Sequence, residues 1–207
     1  MPDFTHEQAY WQQQKLLVAG VDEAGRGPLA GPVVAAAVIF PPEPKLLVKL
    51  KDLNDSKKLS EAKREALFPL IQELALDYGI GVVNAPLIDH LNILQATYLA
   101  MWKALNSLEQ IQACLIDGNR TIPFWKGPQT ALVKGDSLSL SIAAASVLAK
   151  VTRDRIMLAL EETWPGYEFA RHKGYPTTVH TQNLKALGPS PQHRLSFCQK
   201  FLEPVTP

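Results

Sequence analysis

Four acidic side chains occupy positions where they could share a cation. Asp22, Glu23 and Asp117 directly follow apolar segments of strand length, and Asp136 comes shortly after a third such segment. Ligands of an open α/β sheet bind beyond the carboxyl ends of its strands, so these carboxylates would converge if the strands are neighbours. Clustered carboxylates repel one another unless a cation neutralises them, and hard oxygen ligands favour Mg²⁺ or Mn²⁺ over zinc. We therefore predict a metal centre at this edge of the sheet.

The predicted metal centre is suited to phosphoryl transfer. Two divalent ions held about 3.5–4 Å apart can activate water and stabilise a leaving oxygen. The alternative is that strand-end aspartates only form turns or cap helices. That alternative applies most directly to Asp136, because Asp136-Ser137 could cap the long helix that follows.

A glycine-rich segment follows the first acidic pair and reads Gly25-Arg26-Gly27-Pro28-Leu29-Ala30-Gly31. It superficially resembles a dinucleotide-binding fingerprint, but the spacing differs by one residue and a strand-like segment follows instead of a helix. The sequence contains no G-x-x-x-x-G-K-[ST] motif, which excludes a phosphate-loop ATPase. Two glycines around Arg26 let the backbone approach a ligand closely, and a ribose or phosphate beside the metal would fit. A tight turn between strands is expected in either case.

Basic residues occur at two further places. Lys57 and Lys58 precede a helix, where they could contact nucleic acid or lie in a solvated loop. A long helix predicted over residues 138–163 carries a polar stripe at helical spacing, formed by Ser139, Ser146, Lys150, Arg153 and Asp154. The stripe could follow a phosphate backbone that leads away from the metal centre, or the helix could be an amphipathic surface helix.

The segment Arg171-His172-Lys173-Gly174-Tyr175 combines three potential cations with an aromatic ring. Aromatic rings stack on sugars or bases and cations bind phosphates, so the segment is typical of a nucleic-acid contact. His172 and His180 could also be metal ligands. However, neither a cysteine nor a further histidine lies near enough in the sequence to complete a zinc site.

The elements that must position these residues indicate an α/β fold. Strand-like segments cover residues 16–21, 33–40, 78–83, 113–116 and 130–133, and helical periodicity covers residues 60–75, 91–108 and 138–163. Only a turn separates the first two strands, which favours antiparallel pairing. The later strands alternate with helices, which favours parallel pairing. We expect a mixed sheet flanked by helices.

The composition fits one globular core without a strong overall charge. The 207 residues are 46% hydrophobic and 20% charged, with a formal net charge of +1, so an anionic partner must meet a local basic surface. The two cysteines, Cys114 and Cys198, are too few for a disulfide framework, and a reducing compartment is expected. The longest apolar run is too short to span a bilayer, and the N-terminus has no signal-peptide pattern. We expect a cytoplasmic protein without membrane contact.

Several segments distributed over nearly the whole chain match one known family. They are Val21-Asp22-Glu23-Ala24-Gly25-Arg26-Gly27-Pro28, Asn54-Asp55-Ser56-Lys57-Lys58-Leu59, Ile116-Asp117-Gly118, Lys134-Gly135-Asp136, Ser141-Ile142-Ala143-Ala144-Ala145-Ser146, Ala149-Lys150-Val151-Thr152-Arg153-Asp154 and His172-Lys173-Gly174-Tyr175. On these segments the chain resembles the bacterial ribonuclease HII family, the type 2 ribonucleases H. The combination is specific, although no single segment is. The chain departs from the family pattern at Pro176, where many members have glycine.

The resemblance implies a ribonuclease H-like fold, with a mixed five-stranded sheet flanked by helices and a C-terminal helical appendage. It divides the chain into a catalytic domain, residues 1–164, and a helical region, residues 165–207, beside the active site. The implied activity is a metal-dependent endonuclease that cleaves the RNA strand of RNA–DNA hybrids. The enzyme would also nick duplex DNA at embedded ribonucleotides and leave 5′-phosphate and 3′-hydroxyl ends. Nothing in the sequence requires a dimer, so we expect a monomer.

The resemblance also assigns roles to single residues. The catalytic metal ligands, for two Mg²⁺ or Mn²⁺ ions, would be Asp22, Glu23, Asp117 and Asp136. The loop formed by Gly25, Arg26 and Gly27 would recognise the 2′-hydroxyl of the ribonucleotide. Tyr175 would stack on the next, deoxy sugar. The further predicted substrate contacts are Lys57, Ser146, Lys150 and Arg153.

Two other functions remain open from the sequence alone. A DNA-junction nuclease on the same fold would also use strand-end carboxylates, but it would not need a group that recognises a 2′-hydroxyl. A non-catalytic module that binds hybrids would need no metal, and the complete set of acidic residues argues against it.

Overall fold

A computed structural model describes residues 1–202 of the chain. The strands are β1 (Val18–Ala24), β2 (Val33–Ile39), β3 (Asp77–Val83), β4 (Ala113–Asp117) and β5 (Gln129–Leu132). The helices are α1 (Thr5–Trp11), α2 (Lys45–Lys49), α3 (Glu61–Leu74), α4 (Ala85–Leu91), α5 (Ile93–Asn106), α6 (Leu140–Thr163), α7 (Phe169–His172), α8 (Thr178–Leu187) and α9 (Leu195–Leu202). Two short 3₁₀ turns, Ser56–Lys58 and Gly135–Ser137, lie beside the predicted site.

The strands form one mixed sheet in the order β3-β2-β1-β4-β5. β2 is antiparallel to both β1 and β3, while β4 is parallel to both β1 and β5. The predicted mixed five-stranded sheet is therefore confirmed, including the antiparallel first pair and the parallel later strands. Because β1 and β4 are parallel neighbours, the residues at their carboxyl ends meet at one edge of the sheet.

Helices cover both faces of the sheet because its central strands are apolar on both sides. Every residue of β2 is buried, and alternate side chains join two separate cores. Residues of α3 and α6 fill the core on one face, and residues of α5 fill the core on the other. Glycines allow α5 to pack closely on β3. A Cβ at Gly79 would lie 2.1 Å from the Ala104 carbonyl oxygen, and one at Gly81 would lie 2.0 Å from that of Ala100.

Two predicted boundaries are corrected. β1 does not stop before Asp22 but continues to Ala24, because its pairing with β2 extends that far. The helix predicted over residues 91–108 begins later, at Ile93. Asn92 separates α4 from α5, since its φ of 68° interrupts the helix and its side chain accepts hydrogen bonds from the first turn of α5.

The long helix α6 is a core element. It begins at Leu140, with the Ser139 side chain as its N-cap. Residues 140–149 are all buried. The interpretation as an amphipathic surface helix is therefore wrong for these residues, whereas the second half of α6 has an exposed face that includes Arg155 and Leu158.

The C-terminal region after α6 contacts the loop that connects β1 and β2. The Leu29 N–H donates to the Gly174 carbonyl oxygen and the Gly31 N–H donates to that of Gln192, both at 2.8 Å. Residues 203–207 of the predicted region lie outside the described residues, and the domain boundary at residue 164 stays a prediction. No helix within residues 1–202 combines the length and the apolar character needed to cross a membrane.

Candidate metal centre and the adjacent loop

Three of the four predicted metal ligands lie together at one edge of the sheet. Asp22, Asp117 and Asp136 each offer a carboxylate oxygen, and these oxygens all lie within 4.8 Å of one another. The parallel pairing of β1 and β4 places Asp22 beside Asp117. Asp136 lies in the turn Gly135–Ser137, which follows β5. A 2.7 Å hydrogen bond from the Gly135 N–H to Asp117 Oδ1 holds this turn against the end of β4. The topology of the sheet thus brings together residues that are far apart in the sequence.

Glu23 lies next to this group rather than in it. Asp22 and Glu23 are neighbours on a strand, where successive side chains point to opposite faces. Glu23 Oε1 pairs with Arg26 Nη1 at 3.4 Å. Glu23 and Asp117 also line a cavity of about 310 Å³. The role of Glu23 as a fourth metal ligand stays a prediction.

The carboxylates repel one another in a poorly solvated place. Burial, followed by the charges of Glu23 and Asp117, raises the pKa of Asp22 well above its ordinary value. Burial, followed by the charges of Asp117 and Asp55, raises the pKa of Asp136. A divalent cation would relieve this repulsion, and the donors are hard carboxylate oxygens. The residues therefore fit a divalent metal ion.

The predicted basic loop places Lys57 near the carboxylates. Burial opposes protonation of this lysine, but the nearby carboxylates, Asp22 first, raise its pKa overall. The turn Ser56–Lys58 is held against α6 by a buried hydrogen bond of 2.9 Å between Ser56 Oγ and Ser146 Oγ. Ser146 thus supports this turn, and a direct contact of Ser146 with substrate stays a prediction.

Most of the predicted substrate contacts line one cavity beside the carboxylates. It has a volume of about 250 Å³, and its lining includes Gly25, Arg26, Gly27, Lys57, Lys150 and Tyr175. Glu23 also lines this cavity, so the cavity lies directly beside the metal centre. We call it the loop cavity. Ser146 and Arg153 are not part of its lining.

The two basic residues of the predicted stripe on α6 have partners inside the protein. Lys150 Nζ pairs with Asp154 Oδ1 at 2.7 Å, although Lys150 still lines the loop cavity. Arg153 is completely buried, and its guanidinium donates to backbone carbonyl groups. The predicted contact between Arg153 and the substrate therefore does not hold, because an enclosed guanidinium has no surface to offer a phosphate.

Arg194 is a further residue next to this site, and the sequence patterns did not indicate it. It is completely buried and donates to the carbonyl groups of Gly25, Arg26 and Gly31. Its partners lie 163 to 169 positions away in the sequence. A contact over such a separation leaves no periodic pattern that could reveal it.

Three histidines near Tyr175 form a neutral, buried cluster. His180 Nδ1 donates to the Tyr175 carbonyl oxygen at 2.9 Å, so its Nε2 must accept from His193 Nε2, 3.0 Å away. His193 Nδ1 in turn accepts from Ser190. The His172 ring stacks on His180 with the centroids 4.2 Å apart, and both of its nitrogens have backbone partners. Since no ring nitrogen of the cluster is free, the alternative that His172 and His180 bind zinc does not hold.

Acidification is expected to destabilise the protein through this cluster. Burial lowers the pKa of both His180 and His193 to about 4, from an ordinary value of 6.5. Between these two pKa values, from about 4 to 6.5, the unfolded chain binds protons that the folded chain does not. The stabilisation is therefore fully present above the ordinary pKa and is lost as the pH falls through the interval. The loss in the free energy of unfolding would be on the order of 3 kcal/mol for each ring.

Thermal unfolding at about pH 5 and about pH 7.5 measures this effect. The raised pKa values of Asp22 and Asp136 change stability in the opposite sense, so the difference between wild type and His193→Gln isolates the histidine contribution. His90→Gln, at an exposed position, is the control and should behave like wild type. The prediction is contradicted if acidification lowers the unfolding temperature of wild type no more than it lowers that of His193→Gln.

Comparison with known proteins shows which family this chain is similar to. Residues 19–200 match the family model described as Ribonuclease HII. Ribonuclease HII of Syntrophotalea carbinolica is 54% identical over 192 residues, which cover 92% of this chain and 90% of that protein. Ribonuclease HII of Clostridioides difficile is 53% identical over 187 residues, which cover 90% of this chain and 72% of that protein. The crystal structure of ribonuclease H2 from Pyrococcus horikoshii aligns with a TM-score of 0.70 at 28% identity, over 89% of this chain and 96% of that one.

Proposed function

The chain belongs to the ribonuclease HII family, whose members are metal-dependent ribonucleases H, and we propose that it cuts two kinds of substrate. It hydrolyses the RNA strand of RNA–DNA hybrids, and it nicks duplex DNA at single embedded ribonucleotides. Both reactions leave 5′-phosphate and 3′-hydroxyl ends. Recognition of one ribonucleotide requires a group that senses its 2′-hydroxyl close to the cleaved bond.

The observation that carries this proposal is the loop cavity. Gly25, Arg26 and Gly27 line the same space as Glu23, so a ribose on the loop would lie next to the metal centre. A Cβ placed at Gly27 would meet only the Tyr175 ring, at 3.9 Å. Backbone groups and an aromatic ring thus flank one site. This arrangement supports recognition of the 2′-hydroxyl by the loop and stacking of the next sugar on Tyr175.

We propose that Asp22, Glu23, Asp117 and Asp136 hold two divalent ions, Mg²⁺ or Mn²⁺. When bound, such ions lower the barrier for attack of water on the phosphodiester and for departure of the 3′ oxygen. Asp22, Asp117 and Asp136 contribute carboxylate oxygens within 4.8 Å of one another, and Asp22 and Asp136 are buried. Two lysines of the loop cavity would bind phosphates on either side of the cleaved bond: Lys57 beside the carboxylates and Lys150 beside the glycine loop.

A DNA duplex that contains one ribonucleotide tests the proposed function. With Mg²⁺ present, a single nick at the ribonucleotide is expected, at least about 10³-fold faster than any cleavage of the same duplex without it. Chelation of the metal should stop the reaction. An uncut ribonucleotide duplex, or equal cutting of the all-DNA duplex, would overturn the proposal.

The same assay separates the other functions that the sequence left open. Preferential cutting of a branched, all-DNA junction would identify a junction nuclease. Binding of hybrids without any divalent-ion binding in calorimetry would identify a non-catalytic module.

We further propose that the protein acts as a monomer in the cytoplasm, without membrane contact. The residues proposed to bind metal and substrate all come from one chain. Cys114 and Cys198 are free and buried, which is compatible with a reducing compartment.

A further inference from the structure

Two arginines are completely buried beside the glycine loop. They are Arg153, on α6, and Arg194, directly before α9. Neither takes part in the ion pairs found within residues 1–202. Burial of a cation without a paired carboxylate costs free energy unless its hydrogen bonds compensate. The hydrogen-bond partners of Arg153 and Arg194 therefore indicate the structural role of these two side chains.

Arg194 binds both ends of the loop that connects β1 and β2. Its Nη2 lies 2.6 Å from the Gly25 carbonyl oxygen and 2.9 Å from that of Gly31. Its Nη1 lies 3.0 Å from the Arg26 carbonyl oxygen, and its Nε lies 3.0 Å from that of Gly31. A planar guanidinium can direct donors to three carbonyl groups at once, whereas the ammonium of a lysine cannot reproduce that fork.

Arg153 ties the same loop to the segment that carries Tyr175. Its Nε donates to the Pro32 carbonyl oxygen at 2.9 Å, and its Nη2 donates to those of Ala30 and Lys173 at 3.1 and 3.0 Å. The Arg153 Cζ lies 5.7 Å from the centroid of the Tyr175 ring. One buried side chain thus holds the loop and the aromatic segment in a common position.

The contacts of Arg194 determine which way two backbone N–H groups face. In a trans peptide the N–H points away from the carbonyl group of the same peptide unit, and the described chain has no cis peptides. The Gly25 and Arg26 carbonyl groups are turned toward Arg194, so the N–H groups of Arg26 and Gly27 face away from it. Within residues 1–202 neither N–H donates a hydrogen bond to protein, and both residues line the loop cavity.

We propose that Arg194, assisted by Arg153, is a positioning residue for 2′-hydroxyl selectivity. It holds the glycine loop so that the Arg26 and Gly27 N–H groups are free to donate to the ribose oxygen beside the metal centre. This inference rests on the proposed function, because it takes the loop to be the part that meets the ribose. Arg194 acts through the loop and does not touch the substrate.

Arg194→Lys tests the inference, and Arg155→Lys is its matched control. Arg155 is an exposed arginine of α6 that pairs with Glu65 on the surface. Both variants are assayed on two duplexes that differ at one position only, in a ribose or a deoxyribose. We expect Arg194→Lys to lower the ratio of kcat/KM between the two duplexes at least about tenfold, while Arg155→Lys retains it. A smaller folded fraction would lower both rates equally and leave the ratio unchanged, so the ratio separates positioning from stability.

The outcomes distinguish this inference from the proposed function. A wild-type protein that cuts both duplexes equally would overturn the proposed function and this inference with it. A selective wild type together with an equally selective Arg194→Lys variant would overturn the inference alone.

A second measurement uses the wild type and does not depend on folding of the variant. With Ca²⁺ in place of Mg²⁺, the amide signals of Arg26 and Gly27 are expected to shift on addition of the ribose duplex and not of the deoxyribose duplex. Equal shifts with both duplexes would refute the inference.

Discussion

Replacement of Asp22 by asparagine is expected to abolish RNA cleavage without unfolding the protein. Asp22 is the most buried member of the carboxylate group, with only 4% of its surface exposed, and it shares the site with Asp117 and Asp136. An amide of the same shape removes the negative charge that a divalent ion would neutralise. We expect kcat on an RNA–DNA hybrid to fall at least about 10³-fold, equivalent to about 4 kcal/mol of transition-state stabilisation.

The stability of the Asp22→Asn variant should change in the opposite direction. Burial and neighbouring carboxylates raise the pKa of Asp22 in the folded state. Its contribution to stability is therefore present at low pH and is lost as the pH rises through that raised pKa. At neutral pH without metal, the variant should thus unfold at the same temperature as wild type or higher. Added Mg²⁺ should raise the unfolding temperature of wild type more than that of the variant.

Asp52→Asn is the matched control, because Asp52 is an exposed aspartate that undergoes the same chemical change. It should retain wild-type cleavage and the wild-type response to Mg²⁺. Turnover by Asp22→Asn within tenfold of wild type would remove Asp22 from the metal centre. A large drop in unfolding temperature would show instead that Asp22 has a structural role.

The sequence predicted those parts of the fold that depend on local patterns. The apolar run of β2 and the turn before it were enough to predict an antiparallel first pair, and helical spacing over residues 60–75 was enough to predict the helix that the structure shows as α3. The predictions failed where a neighbouring element decides the outcome. β1 extends through Asp22 because β2 continues to pair with it, and residues 140–149 of α6 are buried because they pack in the core between the sheet and α3. Residue types on one segment do not reveal what covers it.

The candidate site was predictable to a similar degree. The carboxylates at strand ends could be found because strand termini in one sheet converge, and the structure does bring Asp22, Asp117 and Asp136 together. Arg153 was wrongly predicted to contact the substrate. Helical spacing shows that it lies on the same face of the helix as other polar residues, but it does not show whether that face is exposed or buried. Arg194 was missed because its acceptors are backbone carbonyl groups. Every residue has such a group, so the residue types in the sequence do not show where a buried arginine will find its acceptors.

The two glycines that flank Arg26 are expected to tolerate a methyl group very differently. Gly25 has a φ of +94°, and a Cβ there would lie 2.1 Å from Arg153 Nε and 2.7 Å from the Pro32 carbonyl oxygen. Gly25→Ala must therefore strain the backbone and displace a buried arginine. We expect a loss of about 2–4 kcal/mol in the free energy of unfolding, or roughly 5–15 °C in unfolding temperature.

Gly27→Ala is the matched comparison, because a Cβ at Gly27 would meet only the Tyr175 ring at 3.9 Å, an ordinary contact. Its stability should stay within about 0.5 kcal/mol of wild type. Its methyl group would nevertheless project into the loop cavity. We therefore expect kcat/KM for cleavage at an embedded ribonucleotide to fall at least about tenfold, because the methyl group would weaken the contact between the loop and the ribose.

The two variants together separate the scaffold of the loop from its surface. Gly25→Ala should lower stability and cleavage together, since it disturbs the arginines that hold the loop. Gly27→Ala should lower cleavage alone, measured as kcat/KM on the ribonucleotide duplex beside thermal unfolding of the same samples. Full activity in Gly27→Ala would mean that the substrate does not approach this face of the loop. Wild-type stability in Gly25→Ala would mean that Arg153 can move aside at little cost, and that the loop is not held as tightly as its contacts indicate.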